Sequence, residues 1–310
     1  MSVVLGIDGG GTRTRASIVE CGANGGCENG RVLAFAESGS IKRLRVGAEA
    51  AEENLRALLS EVYAQAGVKA VQAGCCGVAS AAMPGIPEWI TAVFQDFQIA
   101  RSEVVGDEVI ALDAAFKGGP GILQIAGTGS NTIGRAPDGG QESAGGWSSR
   151  LGDEGSGYWI GLHAVRGALG AYDREEPTQI LDAVGRAWGT ATIEELVNLG
   201  DGTPGPDFAA LAPIVSDLAG AGDAVAQGVL KQAASDLVEF VLLVRTKLRR
   251  KHNLTEEVPV AWIGSVIDKA WNVRESFTAG LKAAAPGIAV GDKEVVGIEG
   301  AIWRAQRLAQ

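Results

Sequence analysis

The chain has 310 residues, 46% of them hydrophobic, and its 27 basic against 37 acidic side chains give a formal net charge of −10. That length and apolar content suffice for a large core and two domains without metal or disulfide support. The acidic balance excludes nucleic acid or an anionic membrane as the main partner, because both demand a basic footprint.

In chain order, the apolar run Val3-Val4-Leu5-Gly6-Ile7 predicts a strand over 2–8 covered on both faces. No stretch approaches the roughly 20 apolar residues needed to cross a bilayer. The first residues enter this strand without a basic and then apolar leader, so a cytoplasmic protein is expected. The strand runs into Asp8-Gly9-Gly10-Gly11-Thr12-Arg13-Thr14. Glycines reach backbone angles closed to other residues, so their amides can crowd against an anion. Asp8, where the strand ends, suits the water shell of Mg²⁺, which takes few carboxylates plus phosphate oxygens. The same residues also read as a plain glycine-rich turn.

Strands follow near 15–20 and 31–38, then an amphipathic helix with Ala51, Leu55, Leu58, Leu59 and Val62 on one stripe. A strand near 69–76, a helix near 87–96 and a short strand ending at Gly106 come next. The segment 113–121, ending Lys117-Gly118-Gly119-Pro120-Gly121, marks the boundary between domains of residues 1–117 and 118–310. Strand–helix crossovers on both sides fit two similar halves.

The second half repeats the opening motif. The strand Gly121–Ala126 runs into Gly127-Thr128-Gly129-Ser130-Asn131-Thr132 and a second strand over 131–135. Two such hairpins facing each other would clamp a triphosphate from both sides; Ala126 replaces the aspartate, so only the first copy would carry the metal. A helix over 156–170, a loop over 200–206 and a long helix over 224–251 follow, the last ending in basic residues that offset its dipole. The strand 259–263 leads into Gly264-Ser265-Val266. The four cysteines, Cys21, Cys27, Cys75 and Cys76, read as buried small hydrophobes. Two histidines are too few for a zinc site or a Ser-His-Asp triad; His163 belongs to a helix and His252 to a solvated basic segment.

Asp107 directly follows a short strand and precedes a helix, at the mouth of the sheet where α/β ligands bind. A carboxylate there can take the proton of an accepting hydroxyl in phosphoryl transfer, or merely cap the helix. Asp153 and Glu154 lie in a loop leading into a helix, where they can cap it or accept hydrogen bonds from sugar hydroxyls. Trp147 offers an apolar wall under a sugar ring or a core filler.

Four blocks carry a family resemblance: Asp8 to Thr14; Val105-Gly106-Asp107; Gly127 to Ser130 with Gly145 to Gly157; and Trp262 to Val266. Together they resemble the N-acetylglucosamine kinase and BadF-type ATPase branch of the actin-like ATPase and sugar kinase superfamily, over nearly the whole chain. The most specific block is Gly152-Asp153-Glu154-Gly155-Ser156-Gly157 after Gly145-Gly146-Trp147. The resemblance implies an α/β fold of two ribonuclease H-like (actin-like ATPase) domains with an interdomain cleft, using ATP and Mg²⁺. It implies Asp107 as the base for a sugar 6-hydroxyl and Asp8 as the metal residue. Gly10, Gly11, Thr12, Arg13, Thr14, Gly127, Thr128, Gly129 and Ser130 would bind phosphates, and Gly264 and Ser265 the adenosine, although a second glycine is usual where Ser265 stands. Asp153, Gly146 and Trp147 would contact a small-molecule amino sugar; a homodimer is expected.

One departure concerns substrate. Related N-acetylglucosamine kinases commonly place an asparagine in the loop matching Ser38 to Gly47, whereas this chain has Lys42, Arg43 and Arg45. The loop is either solvated or engages an anionic group such as the lactyl carboxylate of N-acetylmuramic acid, with Lys42 counted among the substrate residues. The expected function is ATP-dependent phosphorylation of the 6-hydroxyl of N-acetylglucosamine or glucosamine. The alternatives are an N-acetylmuramic acid kinase, a BadF-type ATPase activator with an iron-sulfur cluster, whose cysteine arrangement this chain does not match, and a non-catalytic sugar sensor.

Overall fold

The computed structural model describes residues 2–21 and 30–310. Cys27 and most of the turn expected over 24–30 lie outside the described residues. Strands β1 (Ser2–Gly9), β2 (Arg13–Cys21), β3 (Arg31–Gly39), β4 (Val71–Val78) and β5 (Ile99–Val105) form one five-stranded sheet in the order β3-β2-β1-β4-β5. The helices α1 (Arg43–Val46), α2 (Ala48–Ala66), α3 (Ile86–Asp96) and α4 (Asp107–Phe116) connect and cover it. β1 is central, antiparallel to β2 and parallel to β4. Its continuous apolar run follows from alternation between two covered faces. Leu5 and Ile7 pack with Leu55, Leu58 and Ile90, while Val4 packs with Cys75 and Ile110 on the other side.

The second sheet repeats that plan. Strands β6 (Gly121–Ala126), β7 (Ser130–Arg135), β8 (Gln141–Gly145), β9 (Val260–Ile263) and β10 (Val290–Glu294) stand in the order β10-β9-β6-β7-β8. Each sheet has a central strand, two antiparallel neighbours on one side and two parallel strands on the other. This duplication is the two-half α/β architecture implied by the resemblance. The helices around this sheet are α5 (Gly157–Asp173), α6 (Ile180–Trp188), α7 (Ile193–Gly200), α8 (Ala212–Gly220), α9 (Ala224–His252), α10 (Ser265–Lys269) and α11 (Trp271–Ala284). Asp223 caps α9, accepting from Ala226 N at 3.0 Å, and Leu237, Val241, Val244 and Leu248 bury its inner stripe.

The chain divides into two compact units: the described residues up to Gly119 with Val295–Gln310, and Pro120–Glu294. The final helix, α12 (Gly297–Ala309), thus returns to the first unit, where Ala301 and Ala305 join Val4 and Ile110. Its approach to α4 is too close for a side chain: a Cβ on Gly300 would stand 1.8 Å from Ile110 O. The segment 113–116, read as the start of a linker, still belongs to α4.

Two smaller expectations are corrected. Cys21 is disulfide-bonded, so only Cys75 and Cys76 stand as free buried thiols among the described residues. His252 lies 3.3 Å from both Asp138 and Glu142 rather than in open solvent, because Asp138 and Glu142, either side of the β8 entry, meet the end of α9. Among the described residues no single helix is long and apolar enough to cross a membrane.

Arg304 fixes α12 to its unit. Its Nε donates to Glu103 at 3.0 Å, and its two terminal nitrogens reach Glu103 and Asp113. Asp113 is 1% exposed, so removing the cation takes a charged partner from a buried carboxylate. Arg304→Met is expected to lower the unfolding free energy by about 3–5 kcal/mol, read by urea denaturation; a change within error would show that the pair contributes nothing net.

Candidate active site residues

In the first unit, the three-residue turn Gly10–Thr12 joins β1 to β2. Gly11, Thr12 and Arg13 are exposed, while Thr14 is buried and its hydroxyl donates to Gly39 O at 2.9 Å. Among the described residues, none of the amides of Gly10, Gly11 and Thr12 donates to a backbone carbonyl. Such a run of free amides can accept an anion.

Sheet register places two carboxylates together. Asp8 pairs with Gly77, and Gly77 with Val105, across β1, β4 and β5. Asp107, two residues on, opens α4 at the same edge. Asp8 is half-buried; burial raises its carboxyl above the ordinary range, partly offset by Arg15. Gly297, the first residue of α12, would bring a Cβ within 3.0 Å of Asp8 Oδ2, so the positive end of that helix lies by this carboxylate.

Asp107 does not cap α4; Gly106 does, and Asp107 Oδ1 accepts from Glu108 N at 3.1 Å. Burial, then the neighbouring Glu108 carboxyl and the charge of Asp8, push the Asp107 carboxyl up to about 7. A carboxylate with that affinity for protons suits a general base at neutral pH. Among the described residues no group of three or more His, Cys, Asp or Glu side chains forms a ready cation site. Mg²⁺ held mainly by water and phosphate oxygens needs only one or two carboxylates, and half-buried Asp8 fits that role.

In the second unit, the turn Gly127–Gly129 joins β6 to β7. The start of α5 is bonded to it: Gly157 N donates to Gly127 O at 2.8 Å and Tyr158 N to Thr128 O at 3.2 Å. Ser130 Oγ donates to Glu154 O at 2.7 Å. The cap of α5 is Ser156, which accepts from Trp159 N, so neither Asp153 nor Glu154 caps it. Asp153 is buried in a left-handed conformation at φ 57° and packs beside Gly129. Trp147 is 80% exposed and fills no core.

Gly146 leads to a residue the sequence reading did not single out. A Cβ on Gly146 would lie 3.0 Å from Asn131 Cγ, and Asn131 Oδ1 is buried with no hydrogen-bond partner. An unpaired buried amide oxygen is costly and marks a place for a donor. The only signal in the sequence was the position of Asn131, directly after Ser130 in the second hairpin.

A cavity of about 280 Å³ opens between Gly127, Thr128 and Ser265 on one side and Pro213, Asp217 and Lys269 on another. Gly264 shapes it. Its φ is 117°, a Cβ there would stand 2.4 Å from Ala126 O, and its amide donates to Glu294 Oε1 at 3.0 Å. Ser265 follows as the exposed first residue of α10, where a side chain is tolerated. Of the basic loop, Arg43 is stacked over Trp89 at 3.9 Å. Lys42 is half-buried and pairs with no carboxylate among the described residues.

Residues 5–305 match the BadF/BadG/BcrA/BcrD ATPase family. The chain belongs to that family. Within its wider kinship, the chain is 28% identical to an N-acetylmuramic acid/N-acetylglucosamine kinase of Clostridium acetobutylicum, over 94% of each chain. It is also 28% identical to a glucosamine kinase of Vibrio cholerae, over 80% of this chain and 82% of that one. A candidate N-acetylglucosamine kinase from Chromobacterium violaceum has the same fold, with a TM-score of 0.73, 27% identity and coverage of 100% of this chain and 99% of its own. The chain is thus a BadF-family α/β protein of the actin-like ATPase and sugar kinase fold. The free thiols are poor cluster ligands for this family member: burial pushes Cys75 up to about 12 and Cys76 well above its ordinary value, whereas clusters bind thiolates.

The Asp107 environment has a stability consequence. Its folded state favours the neutral acid, so folding loses free energy as pH rises from the ordinary 3.8 through about 7. Asp107→Asn is expected to be more stable than the parent by about 1–3 kcal/mol at about pH 8.5, and equal to it at about pH 4. Urea unfolding at both values checks this; equal stabilities throughout would place Asp107 in an unstrained site.

Proposed function

We propose that this BadF-family protein is an ATP-dependent amino-sugar kinase that phosphorylates the 6-hydroxyl of N-acetylglucosamine or glucosamine. The observation that carries the reading is Asp107, a carboxyl raised to about 7 at the edge of a sheet whose neighbouring turn offers free amides. In the reaction, Asp107 takes the proton of the sugar hydroxyl as that oxygen bonds to the γ-phosphorus. The bond from the γ-phosphorus to its bridging oxygen breaks, ADP leaves, and Asp107 returns its proton to solvent.

Gly10, Gly11, Thr12, Arg13 and Thr14 are assigned to the phosphates, with Gly127, Thr128, Gly129 and Ser130 in the second unit. Gly264 and Ser265 are assigned to adenosine, beside the cavity that Ser265 borders with Pro213. Bound Mg²⁺ neutralises phosphate charge, and Asp8 would hold it. Asp153, Gly146 and Trp147 are assigned to the sugar, and Asn131 joins them through its unpaired oxygen. An exposed tryptophan suits the apolar face of a sugar ring better than it suits water.

A second reading, N-acetylmuramic acid as substrate, rests on Lys42, the half-buried cation of the loop lacking asparagine. Its ammonium would face the lactyl carboxylate. Lys42→Met should then raise KM for N-acetylmuramic acid while leaving that for N-acetylglucosamine unchanged; equal changes would leave Lys42 without a carboxylate to bind.

The leading reading is tested by coupled ADP release across hexoses, hexosamines and muramic acid derivatives, with the product identified by ³¹P and ¹³C NMR. Turnover is expected on an amino sugar with phosphate on its 6-oxygen. Because the base must be ionised, kcat/KM should fall as pH drops below about 7. Asp107→Asn is expected to cut kcat by at least about 10²-fold and to keep sugar affinity by calorimetry. Unchanged turnover would remove Asp107 from the base role.

A further inference from the structure

The loop between β3 and α2 is fastened to the first glycine turn at several points. Thr14 Oγ1 donates to Gly39 O at 2.9 Å. Ser40 Oγ donates to Gly10 O at 3.4 Å and accepts from Lys42 N at 3.1 Å, while Asn54 Nδ2 donates to Ser40 O at 2.9 Å. Ile41 is fully buried, and its Cδ1 is 2.9 Å from where a Cβ on Gly9 would stand. The short helix α1 is then anchored by Arg43 over Trp89. A loop fixed at both ends holds what it carries in one place.

What it carries over the turn is Arg45. The Arg45 amide donates to Lys42 O at 2.8 Å, and its Nη1 lies 3.9 Å from the point a Cβ on Gly11 would occupy. Its side chain is exposed and has no carboxylate partner among the described residues. Two other surface arginines of this unit are engaged: Arg15 is paired with Glu37 at 2.7 Å, and Arg56 with Glu52 and Asp96. An uncommitted guanidinium above unpaired glycine amides has the chemistry of an oxyanion ligand.

We propose that Arg45 binds the terminal phosphoryl oxygens of the nucleotide at the Gly10–Gly11 turn and carries charge that develops there during transfer. This rests on the kinase reading and gives Arg45 to the phosphate rather than to a substituent of the sugar. The acidic surroundings make the need concrete. Asp8, Asp107 and Glu108 stand at the same sheet edge, and each repels an incoming polyphosphate. A cation on an anchored loop opposes that repulsion without being spent on a carboxylate among the described residues.

The experiment compares the parent with Arg45→Ala and Arg45→Lys. If the proposal holds, Arg45→Ala lowers kcat about 10²-fold, the size seen when one preorganised oxyanion donor is removed, while KM for N-acetylglucosamine is unchanged. Added guanidinium ion should restore part of the lost rate, which a merely structural defect would not permit, and Arg45→Lys should fall between the two. Calorimetric ATP affinity should weaken about tenfold in Arg45→Ala, even if the parent turns over no amino sugar; that outcome would sink the kinase reading and keep the phosphate contact. Unchanged kcat and ATP affinity would overturn the proposal. So would a loss confined to KM for N-acetylmuramic acid, which would move Arg45 to the sugar.

Discussion

Two carboxylates forced toward each other by strand register form the constraint on which the first unit turns. The pairing of Asp8 with Gly77 and of Gly77 with Val105 brings the ends of β1 and β5 level. Asp107 then emerges beside Asp8 with Glu108 following it. Burial raises both the Asp8 and the Asp107 carboxyl, and the neighbouring Glu108 and Asp8 raise Asp107 further. A fold tolerates such a cluster only where something later compensates it, and a magnesium-bound polyphosphate with a hydroxyl to be deprotonated is suitable company. The same burial that destabilises the ionised state keeps a base ready at neutral pH.

The two sheets share a strand order but not a chemistry. The first copy of the hairpin ends its leading strand in Asp8, whose charge is felt by Asp107 and met by Arg15, with Arg45 near Gly11 of its turn. The second copy has Ala126 in that place, and its surroundings are glycine backbone, the buried Asp153, the unpaired Asn131 oxygen and a cavity bordered by Pro213. One unit thus concentrates charge, and the other concentrates shape and neutral hydrogen bonding. Duplicating a sheet supplies two backbone turns; divergence at a few side chains leaves the carboxylate at the end of the leading strand to only one of them.

Much of this was legible in the sequence because its signals are local. The strand over 2–8, the glycine turns and the stripe Ala51, Leu55, Leu58, Leu59 and Val62 each follow from residues close in the chain, and all five stripe residues are fully buried. The edge strand β10, VGDKE, is exposed over its last four residues, and β8, QESAG, is short and buries only Ala144, so alternation gave no signal. The short helices α6 and α7 are amphipathic but span only nine and eight residues, too few turns for the stripe to stand out from the sequence around it. The return of α12 to the first unit depends on Gly300 against Ile110 and on Arg304 with Asp113, contacts spanning most of the chain. At the site, the residue types were readable but their pairings were not. Nothing local distinguishes Arg43, stacked on Trp89, from Arg45, which has no carboxylate partner among the described residues and stands near Gly11.

The most direct measurement is the titration of the Asp107 carboxyl itself, by ¹³C NMR of aspartate-labelled protein without substrates. One aspartate should titrate near 7, disappear in Asp107→Asn, and move toward lower pH in Asp8→Asn and in Glu108→Gln, since both neighbours raise it. If every aspartate instead titrates around 4, the ordinary range, and Asp8→Asn shifts none of them, the two carboxylates do not share a site and the poised base does not exist.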